Sequence, residues 1–421
     1  MLITGATITP VAFRDPPLRN VHGVHQPYAL RAIIQVRTDE GLVGLGETYG
    51  DRGVLDALAA VAPRLAGSDP FDLNALERLV AEALAGSAGP ATHGLIGAPG
   101  HAKTVATVVS AFEVACWDLR GKALGRPVAE LLGGRVRDAV PFSGYLFFKH
   151  AAHVPDPGYP ADGWGEAMDP DGVVAQARRM VDRYGFRSLK LKGGVLPPMA
   201  EAEAIEALRA AFPEHPLRLD PNTAWTVPTS LAVARRLAGV VEYLEDPTAG
   251  IGGMAEVARR TEVPLATNMC VTQFDHLPPA VAKGAVRIVL SDHHYWGGLR
   301  ASLRLAAICR TFGLGLSMHS NSHLGISLAA MTQLAAAVPE LTYACDTHHP
   351  YLTEDVVRPG AFRFTDGSLA VPEGPGLGVE LAEDALGELA EQYLRCGFDT
   401  RDDITPMRAV DPGWDPVMPR W

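Results

Sequence analysis

The chain has no apolar run approaching the roughly 18 to 20 residues that a membrane span requires. Its start, MLITGATITPVAF, carries no basic cluster ahead of an apolar stretch. No signal peptide is visible there, and a cytoplasmic location is expected. CxxC pairs are also missing: Cys116, Cys270, Cys309, Cys345 and Cys396 are odd in number and scattered. Buried reduced thiols are therefore expected, not a disulfide framework. No HExxH occurs, and the first strand of the barrel described below has no HxH. The pairs His293–His294 and His348–His349, with His323 nearby, thus do not make a zinc hydrolase. GPGLG at 374–378 has no Lys-Ser/Thr after it and reads as a turn, not a phosphate loop. Positive charge is in short supply, with 37 Lys and Arg against 48 Asp and Glu, a net charge of −11. That argues against non-specific nucleic-acid binding and against anionic membrane surfaces. It leaves room for an anionic small substrate, because lysines and a metal set the field of a site locally.

What is present is a period. Seven apolar stretches each end in a reactive residue: SLKLK, LRLD, VEYLE, PLATN, VRIVLSD, LGLSMH and LTYACD. Counted from Lys190, the sites Asp220, Glu245, Asn268, Asp292, His319 and Asp346 follow at steps of 30, 25, 23, 24, 27 and 27 residues. A strand of about five residues, a crossover helix of ten or more and two short loops fill such a step. One reactive residue per unit, at the carboxyl end of each strand, is how a (β/α)8-type barrel presents an active site.

At 421 residues, with 47% hydrophobic and 20% charged, the chain has the composition of a soluble globular protein and exceeds one ordinary domain. Residues 1–135 read as an α+β capping domain, with a hairpin turning at 39–41 and helices over 54–65, 73–85 and 104–124. Residues 136–355 alternate strand and helix from AVPFSGYLFF onward, which gives eight strands and a long first loop at 153–170. No eighth barrel helix follows Asp346. The fold class is therefore α/β, a (β/α)7β modified TIM barrel with an α+β capping domain. Residues 356–421 read as a hairpin, a loop, a helix and an extended end that pack back on the capping domain.

Asp220, Glu245 and Asn268 end neighbouring strands, which lie about 4.8 Å apart, so the three can converge. Three oxygen donors carrying two charges suit a hard divalent cation, Mg2+ above all; ordinary polar rim residues are the plainer alternative. Lys190 and Lys192 stand two apart on one strand and share a face. In the lumen each would disfavour the other's charge and make a base available; a solvated surface strand is the other reading. A Schiff-base lysine would leave the oxygen triad without purpose. Asp292 beside His319 would orient the imidazole as a second acid/base opposite the lysines.

With SLKLKGG, LDPNTAW, EDP, ATNMCVT, HSNSH, DTH, PGLGVEL and the late RDD, the chain resembles the enolase superfamily, and within it the glucarate dehydratase subgroup. Such sites use a Lys or His base together with Mg2+. The resemblance implies an enolase-like fold and a hydro-lyase that removes the proton α to a carboxylate of an acid sugar. It implies Mg2+ on Asp220, Glu245 and Asn268, bases at Lys192 (with Lys190) and His319 (with Asp292), and Asn321 beside them. Asn20 and His25 in NVHGVH, together with Tyr145, Asn222, His348 and Arg401, match positions that contact the sugar diacid. The loop TAGIGGM after EDP and residues 101–104 depart from the subgroup's pattern. A racemase or epimerase of a hydroxy acid, or a non-catalytic binding homologue, would use the same framework. A homo-oligomer is the general expectation for such barrels.

Overall fold

Three antiparallel strands open the chain in this computed structural model, which describes residues 1–86, 100–154, 159 and 162–421. β1 (Ile3–Arg14), β2 (Tyr28–Thr38) and β3 (Val43–Tyr49) pair in that order. The β2–β3 hairpin was legible, but β1 was not, because Pro10 interrupts its pattern. Proline lacks an N–H for a ladder and is tolerated at a sheet edge. β1 is such an edge, and Pro10 lies opposite Ala32 of β2. Helices Arg52–Val61, Leu73–Ala83 and His101–Leu124 follow. The first tightens into a 3-10 turn, Ala62–Leu65, at Pro63. The third ends at Gly125 in the left-handed region, φ 64°. It crosses β3 so closely that a side chain at Gly44 would run into the carbonyl of Ala115.

The barrel strands are β4 (Ala139–Phe147), β5 (Leu189–Lys192), β6 (Leu217–Asp220), β7 (Tyr243–Glu245), β8 (Leu265–Thr267), β9 (Ile288–Ser291), β10 (Gly315–Met318) and β11 (Cys345–Thr347). Each pairs in parallel with the next from β4 to β10, and β11 pairs in parallel with β4. The ring closes where the Thr342 and Tyr343 amides donate to the Leu316 carbonyl, 3.0 and 3.1 Å. LKLK of β5 and LRLD of β6 are buried along their whole length. That is expected of parallel strands covered on both sides, here by charged side chains inside and helices outside. Arg218 is among the fully buried side chains and donates to Glu242 and to the Ala344 carbonyl, both at 2.8 Å.

The long first loop gives way to a helix at Pro170. Residues 155–158, 160 and 161 of that stretch lie outside the described residues. After β11 only a 3-10 turn, His349–Tyr351, follows before the tail. The tail divides. Its hairpin, β12 (Phe364–Thr365) and β13 (Ser368–Ala370), extends the barrel sheet through β13 against β4. Helix Glu383–Cys396 lies against β1. The end expected to be extended contains a helix, Ile404–Val410. Asp403 stands at its N-cap without a side-chain capping bond, and Asp402 Oδ1, one residue earlier, accepts from the amides of Ile404 and Thr405. All five cysteines are unpaired, and no helix among the described residues is long and apolar enough to cross a membrane.

Candidate active site

Asp220 closes β6 and Glu245 closes β7, while Asn268, Asp292 and His319 each stand one residue past β8, β9 and β10. Just beyond β6 and β7, three non-glycine residues adopt left-handed backbone: Asn222 (φ 53°), Thr223 (φ 66°) and Asp246 (φ 41°). Such residues cost on the order of 1–3 kcal/mol each and gather where a chain is bent for function. The Asn222 amide donates to Asp220 Oδ1 at 3.0 Å. Asp246 accepts from the Thr267 hydroxyl at 2.6 Å and from the Asn268 and Met269 amides at 2.7 and 2.9 Å. It thereby fixes the loop that carries Asn268. Burial pushes the Asp246 carboxyl up to about 6 against these bonds.

Lys190 and Lys192 both point into the barrel. Lys190 Nζ lies 2.7 Å from Glu245 Oε2, 2.7 Å from Asp346 Oδ2 and 3.4 Å from Asp220 Oδ2. Lys192 Nζ lies 2.8 Å from Asp220 Oδ2. Burial disfavours the Lys190 ammonium, but Asp346 and Glu245 more than offset it and hold the group well above its usual value. Burial likewise raises Asp220, yet Lys192 and Lys190 prevail and draw it down to about 2. Glu245 goes the other way: burial and the charges of Asp220 and Asp346 push it well up despite Lys190. The Lys190–Glu245 contact is therefore a charged ammonium beside a carboxyl crowded by other carboxylates. Three carboxylates around two ammonium groups leave Glu245 short of countercharge. Among the described residues Glu245 Oε1 and Asn268 Oδ1 are buried and find no hydrogen-bond partner, and Glu245 Oε2 faces the Lys190 ammonium. Buried oxygens left without donors, at a point where negative charge exceeds positive, fit a hard cation.

His319 Nδ1 meets Asp292 Oδ2 at 2.9 Å. Burial raises the Asp292 carboxyl, but His294 and His319 outweigh it and hold it well below the usual range. Asp292, His293 and His294 present ligand atoms within 4.8 Å of one another. Both Asp292 oxygens are already engaged by imidazole nitrogens, which leaves that trio poorly suited to a metal.

Lys192, His319 and Asn321 line one cavity together with Asn20, His25, Tyr145, Asn222, His348 and Arg401. Lys190, Asp220, Glu245, Asn268 and Asp292 are absent from its lining; Asp220 meets it through Lys192 and Asp292 through His319. β5 and β10 stand three strands apart around the ring by way of β11 and β4, so the cavity lies between a lysine and a histidine. The N-terminal loop is tied down over it: Asn20 Nδ2 donates to Asp403 Oδ2 at 2.7 Å, and His25 Nδ1 meets Asp15 Oδ2 at 2.9 Å. Arg401 Nε and a terminal nitrogen hold the same Asp403 at 2.9 and 2.8 Å. Asp15, Asp246, Asp403 and Arg31 were not singled out as site residues, and Asp346 was read as a reactive strand end without a role. Asp346 carried a signal, the last step of the period, and Asp246 and Asp403 sit inside EDP and RDD. Asp15 and Arg31 carried none.

Two family models match: "Enolase C-terminal domain-like" over residues 172–385 and "Mandelate racemase / muconate lactonizing enzyme, N-terminal domain" over residues 3–133. The chain belongs to the mandelate racemase/muconate lactonizing enzyme family of the enolase superfamily. A Streptomyces coelicolor relative named "Probable glucarate dehydratase" is 53% identical over 100% of this chain and 99% of its own length. The crystal structure of an enolase from Thermobispora bispora with magnesium and formate is 60% identical, with a TM-score of 0.97 and 100% of both chains covered. That of an enolase from Mycobacterium smegmatis with tartrate is 63% identical, with a TM-score of 0.95, covering 100% of this chain and 98% of that one.

Proposed function

We propose that this chain is a magnesium-dependent dehydratase of an acid sugar, a hydro-lyase that acts on a D-glucarate-like aldarate. One observation carries the reading: Lys192 and His319, on strands three apart, line the same cavity, and each is held by a carboxylate, Asp220 at 2.8 Å and Asp292 at 2.9 Å. Asp220, Glu245 and Asn268 would hold Mg2+. Bound there, the ion supplies the positive charge that a substrate carboxylate needs while its α-carbon gives up a proton.

Lys192 takes the α proton from one epimer, with Lys190 beside the carboxylate, and His319 takes it from the other. The broken C–H bond leaves its electron pair to form C=C as the β C–O bond breaks. His319 gives the proton with which that hydroxyl departs as water: the one it has just taken on its own side, or, where Lys192 is the base, the one its imidazolium form carries on Nε2. The enol then gives up its hydroxyl proton, takes one on the β carbon and becomes a 2-keto-3-deoxy acid. Asn20, His25, Tyr145, Asn222, His348 and Arg401 would grip the rest of the diacid, with Asn321 beside His319. Support comes from the Streptomyces coelicolor relative's name, from the magnesium in the Thermobispora bispora structure and from the tartrate, a hydroxylated diacid, in the Mycobacterium smegmatis structure.

The test is incubation with a panel of aldaric and aldonic acids in Mg2+, with detection of 2-keto acid. Keto acid is expected from at least one aldarate. Scrambled configuration without keto acid would replace the reading with a racemase or epimerase. Retention of the ligand unchanged would replace it with a binding protein.

A further inference from the structure

Asp292 has a second imidazole. While its Oδ2 meets His319, its Oδ1 accepts from the backbone amide of His294 at 2.9 Å and meets His294 Nδ1 at 2.7 Å. The far nitrogen of that ring, His294 Nε2, lies 2.8 Å from a terminal nitrogen of Arg31 and 2.8 Å from the Ser327 hydroxyl. A guanidinium only donates. His294 Nε2 must therefore accept, and Nδ1 must carry the hydrogen that points at Asp292. The network, and not an arbitrary choice of ring orientation, assigns this tautomer.

Arg31 is itself pinned. It lies on β2 of the N-terminal sheet, 1% exposed, with Nε on Glu47 Oε1 at 2.8 Å and its guanidinium over the Tyr49 ring at 4.9 Å. Glu47 in turn accepts from the amides of Leu324 and Ser327, both at 2.8 Å. Those amides open the helix Gly325–Ala337 that follows His319. The chain of contacts thus runs from the N-terminal domain to the histidine in the barrel and back into the helix behind it, with every member buried.

We propose that His294 and Arg31 are positioning residues for the His319–Asp292 pair. Arg31 fixes the tautomer of His294, and His294 locks the Asp292 carboxylate so that His319 keeps its hydrogen on Nδ1 and presents Nε2 to the cavity. The N-terminal domain then helps to hold one of the two bases and not the other, since among the described residues Lys192 is paired with Asp220 alone. This deepens the reading of His319 as a base and rests on it.

Two substitutions separate the parts. In His294→Asn the side-chain amide can still donate to Asp292. In His294→Gln the longer amide can still accept from Arg31, but the donor beside Asp292 is lost. Exchange of the α proton with solvent deuterium is followed for each α epimer, with Lys192→Ala and His319→Asn assigning the two sides. His294→Gln and Arg31→Met are expected to slow the His319-side exchange about tenfold or more, on the scale seen when the hydrogen-bonded partner of a metal-ligating histidine is removed. His294→Asn is expected to keep most of it, and the Lys192-side exchange is expected to be unchanged in all three. An equal loss on both sides, or an unchanged His319 side in His294→Gln, would overturn the proposal. The second readout needs no turnover: 15N spectra of the imidazoles, with the His319 signals found by their loss in His319→Asn. A bare Nε2 is expected in the wild type and a mixed tautomer in His294→Gln. A wild type that exchanges no α proton from any aldarate defeats the dehydratase reading, and the spectra then decide the positioning role alone. Identical His319 signals in wild type and His294→Gln would reject it.

Discussion

At the residue scale the central fact is an imbalance of charge at the strand ends. Asp220, Glu245 and Asp346 surround Lys190; Asp220 has a second cation in Lys192 and Asp346 has one in Arg218, 3.9 Å away, while among the described residues Glu245 has Lys190 alone. Glu245 is the loser, its carboxyl pushed well up by burial and by its carboxylate neighbours. A carboxyl raised in the folded state binds its proton more tightly there than in the unfolded chain. Folding is then penalised as pH rises above the ordinary carboxyl range, which is the opposite sign to a salt-bridged acid. Removing the charge should remove the penalty. In Glu245→Gln without divalent ions, the thermal midpoint near pH 8 is expected to be no lower than that of the wild type. Added Mg2+ should stabilise the wild type, by about 2.7 kcal/mol at a hundredfold excess over its dissociation constant, and the variant far less. A variant that is weaker without the ion yet gains as much from it would show that Glu245 is not a ligand. The seven polar strand ends could be read from the sequence because each was the last residue of an apolar run at a fixed period. Their pairing could not, since nothing in LKLK says which carboxylate will meet which lysine.

At the scale of elements, the part that seals the cavity comes from three places far apart in sequence. The loop bearing Asn20 and His25, the turn bearing Arg401 and Asp403, and the ends of the barrel strands meet through side chains and backbone. The Val24 amide donates to the Asp403 carbonyl at 3.0 Å. Gly23 sits so close that an added side chain would run into that carbonyl and into Met407. Gly23→Ala should therefore lift the loop off the tail without touching Lys192 or His319. The expected result is a KM raised about tenfold or more for the diacid with kcat less affected, the pattern of lost binding common to ground and transition states. Steady-state kinetics with the best aldarate would check it, and a fall in kcat alone would place the loop's role in the chemical step. Such an element is hard to see in a sequence. NVHGVH has neither helical nor strand period, and its structure is dictated by Asp403, more than 370 residues away. β1 was missed for a different reason, an edge position that forgives Pro10. The barrel helices and strands were legible because local period and burial agree there.

At the scale of the whole molecule, buried charged contacts tie the N-terminal sheet, the barrel and the tail together. Arg31 and Glu47 reach into the barrel. Asp118 accepts from the amides of Leu45 and Leu377, both within 2.9 Å, and joins the first domain to the tail. Asp403 joins the tail to the N-terminal loop through Asn20. These ties leave little trace in sequence, because the partners share no period and no motif. The Asp403 tie has a measurable consequence in acid. Burial raises its carboxyl, but Arg401, His25 and the Asn20 amide prevail and bring it down to about 2. For a depressed carboxyl, the stabilisation is complete above the ordinary value near 3.8 and disappears as pH falls through the folded value. The window is thus about pH 4 to 2, and this lowering is worth about 2 kcal/mol for the buried group. In Asp403→Asn that slope is expected to vanish. The variant should also be less stable at neutral pH, because Arg401 is left half-buried beside an uncharged amide. Denaturant midpoints for both proteins across this range supply the measurement. Parallel pH curves for wild type and variant would mean that Asp403 does not carry the acid sensitivity, and that the tail is held down by packing alone.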